Sequence, residues 1–379
     1  MKFRNPFRIP ILHAALIACA ALLAVVDVHA ENNVIVVGQA IDLSGPNGSI
    51  GRDYVAGITT YFDSVNVKGG INGKKVKYVV RDDGGQSAES ARLAGALISQ
   101  DRAQYLLGAI GNDATQAILA APAFAASGQV LFAPLADSFA MTTSRVLFWR
   151  PSMEQEFQFI LGYFDKLGLK QVGIALQESP HNRKTYELLV ADMRKRGMTL
   201  VGTAAISANK GSVETGAAQL RAAGAKLVLM VADTYGSAQF LKAFRKVDPA
   251  TFVAGTSLIN LATLGELAGA KATEYTVFSQ VVPNPSSNAS PLQSEHLDMM
   301  KKFRDEPVSS ITLEGFAVAK TLVRVIQMEA AGRGTLQGLA AARTSIDLGG
   351  MKLAASDKKG NMSEFVDIAL FRRDGGLMY

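Results

Sequence analysis

The sequence predicts an α/β protein made of two successive doubly wound units, and three observations carry that reading. From Val34 to Phe371, apolar runs of strand length alternate with segments whose apolar residues recur at helical spacing. The alternation pauses at Trp149-Arg150-Pro151 and starts afresh at Ser152. A chain of roughly 350 residues beyond its leader is also too long for one ordinary core.

In the first unit, Val34 to Val37 is an apolar strand running into the small-residue loop Asp42 to Gly51. A helix follows, then Lys68 to Lys75 and a second strand, Val76 to Val80. A loop that leaves a buried strand and feeds a helix N-terminus presents free backbone N–H groups, so this is where open α/β sheets hold ligands. Ser87 to Ile98 reads as a helix with Ala91, Ala94 and Leu97 on one face, and Tyr105 to Ile110 as a buried strand. Thr115 to Ala126 is an alanine-rich helix closed by Gly128, followed by strands at Val130 to Ala133 and Val146 to Trp149.

The second unit opens with Ser152 and Gln155 at capping-box spacing, then Phe157, Ile160, Leu161 and Phe164 at helical intervals. Strands at Val172 to Leu176, Leu200 to Ile206, Leu227 to Val231 and Phe252 to Ala254 are separated by helices near Lys184 to Arg196, Val213 to Ala222 and Ser237 to Val247. Val281 to Pro291, rich in Pro, Ser and Asn, reads as a connection between the units. Helices near Leu292 to Arg304 and Thr312 to Ala331 come next. A strand at Met351 to Leu353, the turn Ser356 to Asn361 and a strand at Phe365 to Phe371 are expected to close the chain as a hairpin.

The leader addresses the compartment. Lys2, Arg4 and Arg8 precede an apolar run from Ile11 to Val26, and Val28-His29-Ala30 places small residues where a signal peptidase reads, so residues 1–30 are expected to be removed. The run is shorter than the ~20 residues that span a bilayer, which disfavours a permanent anchor. Leu16 to Cys19 resembles a lipoprotein processing site, but the apolar run continues past the cysteine, where a lipidated chain turns polar. Cys19 is the sole cysteine, so cleavage leaves no thiol for a disulfide or a metal site. Losing Lys2, Arg4 and Arg8 against Asp27 takes the formal net charge from +6 to +4 with no long basic block, which is not the footprint of a nucleic-acid binder.

Motifs for catalysis are missing. His181 and His296 lack partners at zinc-ligand spacing, and no nucleophile elbow, dinucleotide fingerprint or P-loop is present. Ser207 to Lys210 and Ser356 to Lys359 match Ser-x-x-Lys without its companion motifs, so they read as solvated turns. No metal or cofactor is expected. The carboxylates Asp82, Asp83, Asp113 and Asp137 follow strand ends, the rim where sites form, although capping and turn roles account for each more simply.

Ser44-Gly45-Pro46 after the first strand, Lys68-Gly69-Gly70-Ile71-Asn72-Gly73 before the second, Asp82-Asp83-Gly84 after it and the Gly108 to Gln116 loop together resemble the periplasmic solute-binding proteins of the leucine/isoleucine/valine type, the type I binding proteins of ABC importers. The resemblance covers nearly all of Asn33 to Phe371. It implies two Rossmann-like lobes joined by three crossing segments, with lobe one at 31–150 plus 282–346 and lobe two at 151–281 plus 347–379. A small molecule would be buried between them and handed to a membrane permease, by a protein that is periplasmic, monomeric and not an enzyme. The family receives an amino-acid carboxylate on two lobe-one loops, here Asn112, Asp113, Ala114 and Thr115, and Ala136, Asp137 and Ser138. It pairs the ammonium with an acid of lobe two, here Thr256, and covers the ligand with an aromatic residue near His181. Asn47, Ser49 and Ile50 on the first loop, with Asp233 and Tyr235 on a lobe-two loop, complete the implied contacts.

This chain departs from the family at decisive places. Asp113 and Asp137 would set negative charge beside an incoming carboxylate, and Thr256 cannot neutralise an ammonium; Asp233 is the candidate replacement. Two ligand readings follow from the sequence. One is a small polar solute with a cationic or hydrogen-bonding group. The other is a larger apolar ligand, motivated by Ile50, Leu135, Phe139 and Met141 near the cleft loops. A sensing receptor is the alternative to transport.

Overall fold

The computed structural model describes residues 33–138, 144–339, 345–354, 361–372 and 377–379. The leader with Cys19, Phe139, Met141 and the Ser356 to Lys359 turn lie outside them.

The first sheet has five parallel strands in the order β2-β1-β3-β4-β5: β1 (Val34–Ile41), β2 (Lys75–Asp82), β3 (Tyr105–Leu107), β4 (Leu131–Phe132) and β5 (Val146–Leu147). β1 is almost continuously apolar because helices cover both its faces, whereas the edge strand β2 carries Lys75, Lys77 and Arg81. Helices α1 (Gly48–Val67), α2 (Ser87–Ser99), α3 (Asn112–Ala120) and α4 (Pro122–Ser127) are the crossovers. The single helix expected over 115–126 is two, because Pro122 has no N–H and pushes Ala121 out of the helical region.

The second sheet runs β14-β13-β10-β9-β8-β6-β7. β6 (Gln171–Gln177), β7 (Thr199–Ile206), β8 (Leu227–Val231), β9 (Phe252–Gly255) and β10 (Thr276–Gln280) are parallel, with α5 (Met153–Lys166), α6 (Pro180–Lys195), α7 (Lys210–Ala222), α8 (Thr234–Val247), α9 (Leu261–Ala268) and α10 (Ala270–Thr273) between them. The capping box at Ser152 and Gln155 is formed in both directions. α6 begins four residues before the expected Lys184, since Ser179 caps it and Pro180 is at home in a first turn. That puts His181 on the N-terminal turn of a helix.

The chain returns through α11 (Pro291–Phe303), α12 (Ser310–Ala330) and α13 (Leu336–Leu339). Among the described residues, the two strands of the closing hairpin expected from the sequence do not pair with each other. β12 (Lys352–Ala354) pairs instead with β11 (Ser345–Asp347), while β13 (Asp367–Phe371) adds antiparallel to β10 and pairs with β14 (Leu377–Met378). Leu348, Met351, Leu353 and Met362 pack in the same buried cluster as Val37, Phe132 and Phe316, so this stretch belongs with the first sheet, although the sequence reading assigned it to lobe two. Alternation of apolar residues marks a strand without saying which partner it takes.

Three segments cross between the lobes: Phe148–Ser152, Gln280–Asn284 and Asn361–Ser363. The first and third run side by side, the Met362 N–H donating to the Phe148 carbonyl and the Ser363 N–H to the Trp149 carbonyl, both at 2.9 Å. Among the described residues, no helix is long and apolar enough to cross a membrane.

Candidate functional site between the lobes

Each parallel sheet has a topological switch point, where the chain winds to one side and then to the other. In the first sheet it falls between β1 and β3, and in the second between β6 and β8. The crevice beyond the strand ends at such a point is where open α/β sheets take ligands. Here the two crevices face each other. Asn112, the first residue of α3 after β3, lies 2.7 Å from His181, on the first turn of α6 after β6 (Asn112 Nδ2 to His181 Nδ1).

That contact has an assignable polarity. Asn112 Oδ1 accepts the Asp137 backbone N–H at 2.8 Å, so the other end of the amide, Nδ2, donates to His181. Nδ1 must then be an acceptor, which makes the imidazole neutral with its proton on Nε2. Burial agrees with this, pushing the His181 pKa below its ordinary value despite the opposing pull of Asp137 and Asp113. The two lobe-one loops are locked to each other, Gly111 N–H to Leu135 O at 2.9 Å and Leu135 N–H to Ala109 O at 3.0 Å. Gly111 sits at φ 93°, and Ala133 at φ 53° is held in a left-handed conformation by Tyr54, whose hydroxyl donates to its carbonyl at 3.1 Å.

A pH prediction follows. The Asn112–His181 link is fully present above the ordinary histidine value near 6.5 and is lost as pH falls and Nδ1 takes a proton. The closed form of unliganded protein should therefore open on acidification. Small-angle scattering from pH 7.5 downward should show the radius of gyration rising as Nδ1 is protonated, and His181→Ala should abolish the change.

The other expected contacts divide. Asn112, Ala114, Thr115, Ala136, Asp137, Ser138 and Thr256 are all buried at the facing loops. Asp113 is exposed in the first turn of α3, whose cap is Gly111, so the expected capping bond is not made. Asn47 directs its N–H to Asp42 Oδ2 at 2.9 Å, and Ser49 is half-buried in the first turn of α1. Ile50 is 1% exposed and belongs to the lobe-one core, packed there because the adjoining helix turn faces the sheet. Leu135 lies in the same core cluster. Tyr235 points to solvent, 58% exposed.

Asp233 is committed elsewhere. One carboxylate oxygen accepts the Gly236 N–H at 2.7 Å as the cap of α8, and the other accepts Gln177 Nε2 at 2.8 Å. Both oxygens of this candidate acid already hold protein donors. Asp42, Asp82 and Asp83 come within 4.8 Å of one another, and each takes backbone N–H groups of its own turns, the role the sequence favoured for Asp82 and Asp83.

Sequence reasoning missed a second part of the site. A cavity of about 490 Å³ lies between the lobes beside the second crossing segment, lined by Asp53 of α1, Ser309 before α12, Asn260 after β9 and Gln280 at the end of β10. Asp53 Oδ2 accepts from Ser309 Oγ at 2.9 Å and, across the lobes, from Asn260 Nδ2 at 3.3 Å. Burial raises the Asp53 pKa, and these two donors oppose the rise. No motif marks Asp53 or Gln280. Their helices and strands are distant in sequence, so only folding brings them to one cavity.

The comparisons agree with this fold. The family described as periplasmic binding protein matches residues 34–364, so the chain belongs to the periplasmic binding proteins. Within them it is of the leucine/isoleucine/valine-binding type. It is 25% identical over 201 residues to an amino acid binding protein of Pseudomonas aeruginosa, a match covering 51% of this chain and 52% of that one, about half the length of that relative. It is 24% identical to the Leu/Ile/Val-binding protein homolog 1 of Brucella melitensis over 81% of each chain. The fold is shared with an extracellular ligand-binding receptor from Verminephrobacter eiseniae, at a TM-score of 0.83, 21% identity, and coverage of 91% and 99% of the two chains.

Proposed function

We propose that this protein is a periplasmic substrate-binding protein that closes on a small molecule and delivers it to the permease of an ABC transporter. The observation that carries the reading is the pair of switch points facing each other across one cleft and linked by Asn112 and His181. A ligand touching both lobes stabilises the closed form by its differential affinity for the two states, which is the signal a permease reads. The signal peptide ends at Ala30, and the protein acts as a monomer without turning its ligand over.

The ligand is not a standard branched-chain amino acid. Thr256 stands where the family places an acid for the ammonium, and Asp233, the nearest alternative, is occupied as a cap. Asp137 stands on the loop where the family receives the carboxylate. A thermal-shift screen over amino acids, polyamines, amides, aromatic acids and lipids tests the reading, since a ligand bound only by the folded state adds RT ln(1 + [L]/Kd). Hits are expected to raise the melting temperature by several degrees, shrink the radius of gyration and leave the compound chemically unchanged. Leucine or valine matching the best hit would overturn the ligand claim, and consumption of a hit would overturn the binding-protein reading.

A further inference from the structure

We infer that the interlobe cavity beside the second crossing segment is the specificity site for a compound bearing a hydrogen-bond-donating nitrogen, an amine or primary amide on a compact apolar body, and that it rejects carboxylates. The inference rests on the binding-protein reading above and specifies the chemistry of its ligand.

Its first support is an orphaned acceptor. Gln280 is 1% exposed and lines the cavity. Its Nε2 donates to the Ser279 carbonyl at 2.6 Å, and a carbonyl can only accept, so the amide is fixed with Oε1 as the free end. Oε1 is buried and has no hydrogen-bond partner among the described residues. An unsatisfied buried acceptor is costly, and because Oε1 is shut off from solvent, a ligand donor relieves it only when the Gln280 side chain turns toward the cavity.

The second support is charge. Among the described residues that line the cavity, Asp53 is the one charged side chain. Among the described residues its Oδ1 takes no hydrogen bond, whereas Oδ2 already serves Ser309 and Asn260. Arg52 and Glu306, neither of them in the lining, act on Asp53 in opposite senses, and the carboxylate that faces the cavity attracts an ammonium, tolerates an amide N–H₂ and repels an anion.

The third support is the remainder of the wall. Ile259, Leu261, Phe371 and Leu377 of lobe two form an apolar side facing these polar groups in a space of about 490 Å³, within the usual range for small-molecule sites. A nitrogen donor at Asp53 and Gln280 with its body on those residues would touch lobe one, lobe two and a crossing segment together. Such a ligand favours closure directly.

A matched series tests this on the purified protein: 3-phenylpropylamine, 3-phenylpropanamide and 3-phenylpropanoate, with pentylamine, pentanamide and pentanoate as a smaller set, each titrated by calorimetry. The amine of at least one set should bind at least tenfold more tightly than its carboxylate. Asp53→Asn keeps acceptors for Ser309 and Asn260 but loses the charge; it should weaken the amine at least tenfold and the amide less than threefold. Gln280→Leu should weaken both. Carboxylates binding as tightly as amines, no binding by any amine or amide, or amine affinity unchanged in Asp53→Asn would each overturn the inference. Compaction in small-angle scattering separates the two readings: a carboxylate that closes the lobes defeats the donor chemistry and leaves the binding protein intact, whereas consumption of a bound compound defeats the binding-protein reading.

Discussion

Glu156→Ala should destabilise the protein by about 3–5 kcal/mol, because it breaks a buried ion network from one side. Arg150, on the first crossing segment, is 2% exposed. Its guanidinium lies 3.1 Å from Glu156 of α5 and 3.8 Å from Glu314 of α12, and it also donates to Ser257 Oγ. Glu156 Oε2 in turn accepts the Ser257 N–H at 2.9 Å and the Ser279 hydroxyl at 2.6 Å. One carboxylate therefore serves the first crossing, the loop after β9 beside Thr256, and the strand entering the second crossing. Truncation leaves Arg150 with only the more distant Glu314 as an ionic partner and strands two buried donors. Glu156→Gln keeps an acceptor and should cost less than half as much. Urea unfolding followed by circular dichroism measures both, and a loss under about 1 kcal/mol for the alanine variant would refute the account.

Glu314 adds a pH dependence to the same network. Burial raises its pKa to about 7, with Arg150 pulling it down and Glu156 pushing it up. A carboxyl whose folded pKa exceeds its unfolded value stabilises the fold at low pH, and that contribution fades as pH rises through 7. The acid-side opening at His181 therefore has an opposite slope at the hinge.

The second large effect is at the crossing of α1 and α12. A Cβ on Gly57 would stand 2.0 Å from the Thr312 carbonyl oxygen, and one on Gly315 would stand 2.2 Å from the Tyr54 carbonyl oxygen. The two helices meet backbone to backbone through this pair. Gly57→Ala gains about 1 kcal/mol of helix propensity, yet it must push apart two main chains that cannot rotate away, at a cost of about 3 kcal/mol or more. The net result should be a melting temperature several degrees lower. Gly95→Ala is the control, since its Cβ meets only Ala123 Cβ at 3.5 Å, an ordinary contact, and it should be neutral or mildly stabilising. A Gly57→Ala variant as stable as the Gly95→Ala one would sink the packing argument. The same helix carries Asp53, so spreading α1 from α12 should also loosen the cavity.

Much of the architecture was legible because it rests on local periodicity. Continuous apolar runs such as Val34 to Val37 and Leu227 to Val231 became central parallel strands, and Ser152 with Gln155 became the capping box their spacing implies. The misreadings arose where a residue pattern marks an element without naming its partner. β12 pairs with β11 rather than with β13, and Ile50 turns into the core.

The linear chain by itself determined the α/β class, the two units, the break at Arg150-Pro151 and the family, because period, turn chemistry and motif spacing are properties of neighbours in sequence. Only the tertiary structure decided that Asn112 meets His181, that Arg150 is held by Glu156 and Glu314, and that Asp53 and Gln280 share one cavity. Those contacts join residues tens to hundreds of positions apart. They exist because the two sheets place their switch points and crossing segments face to face.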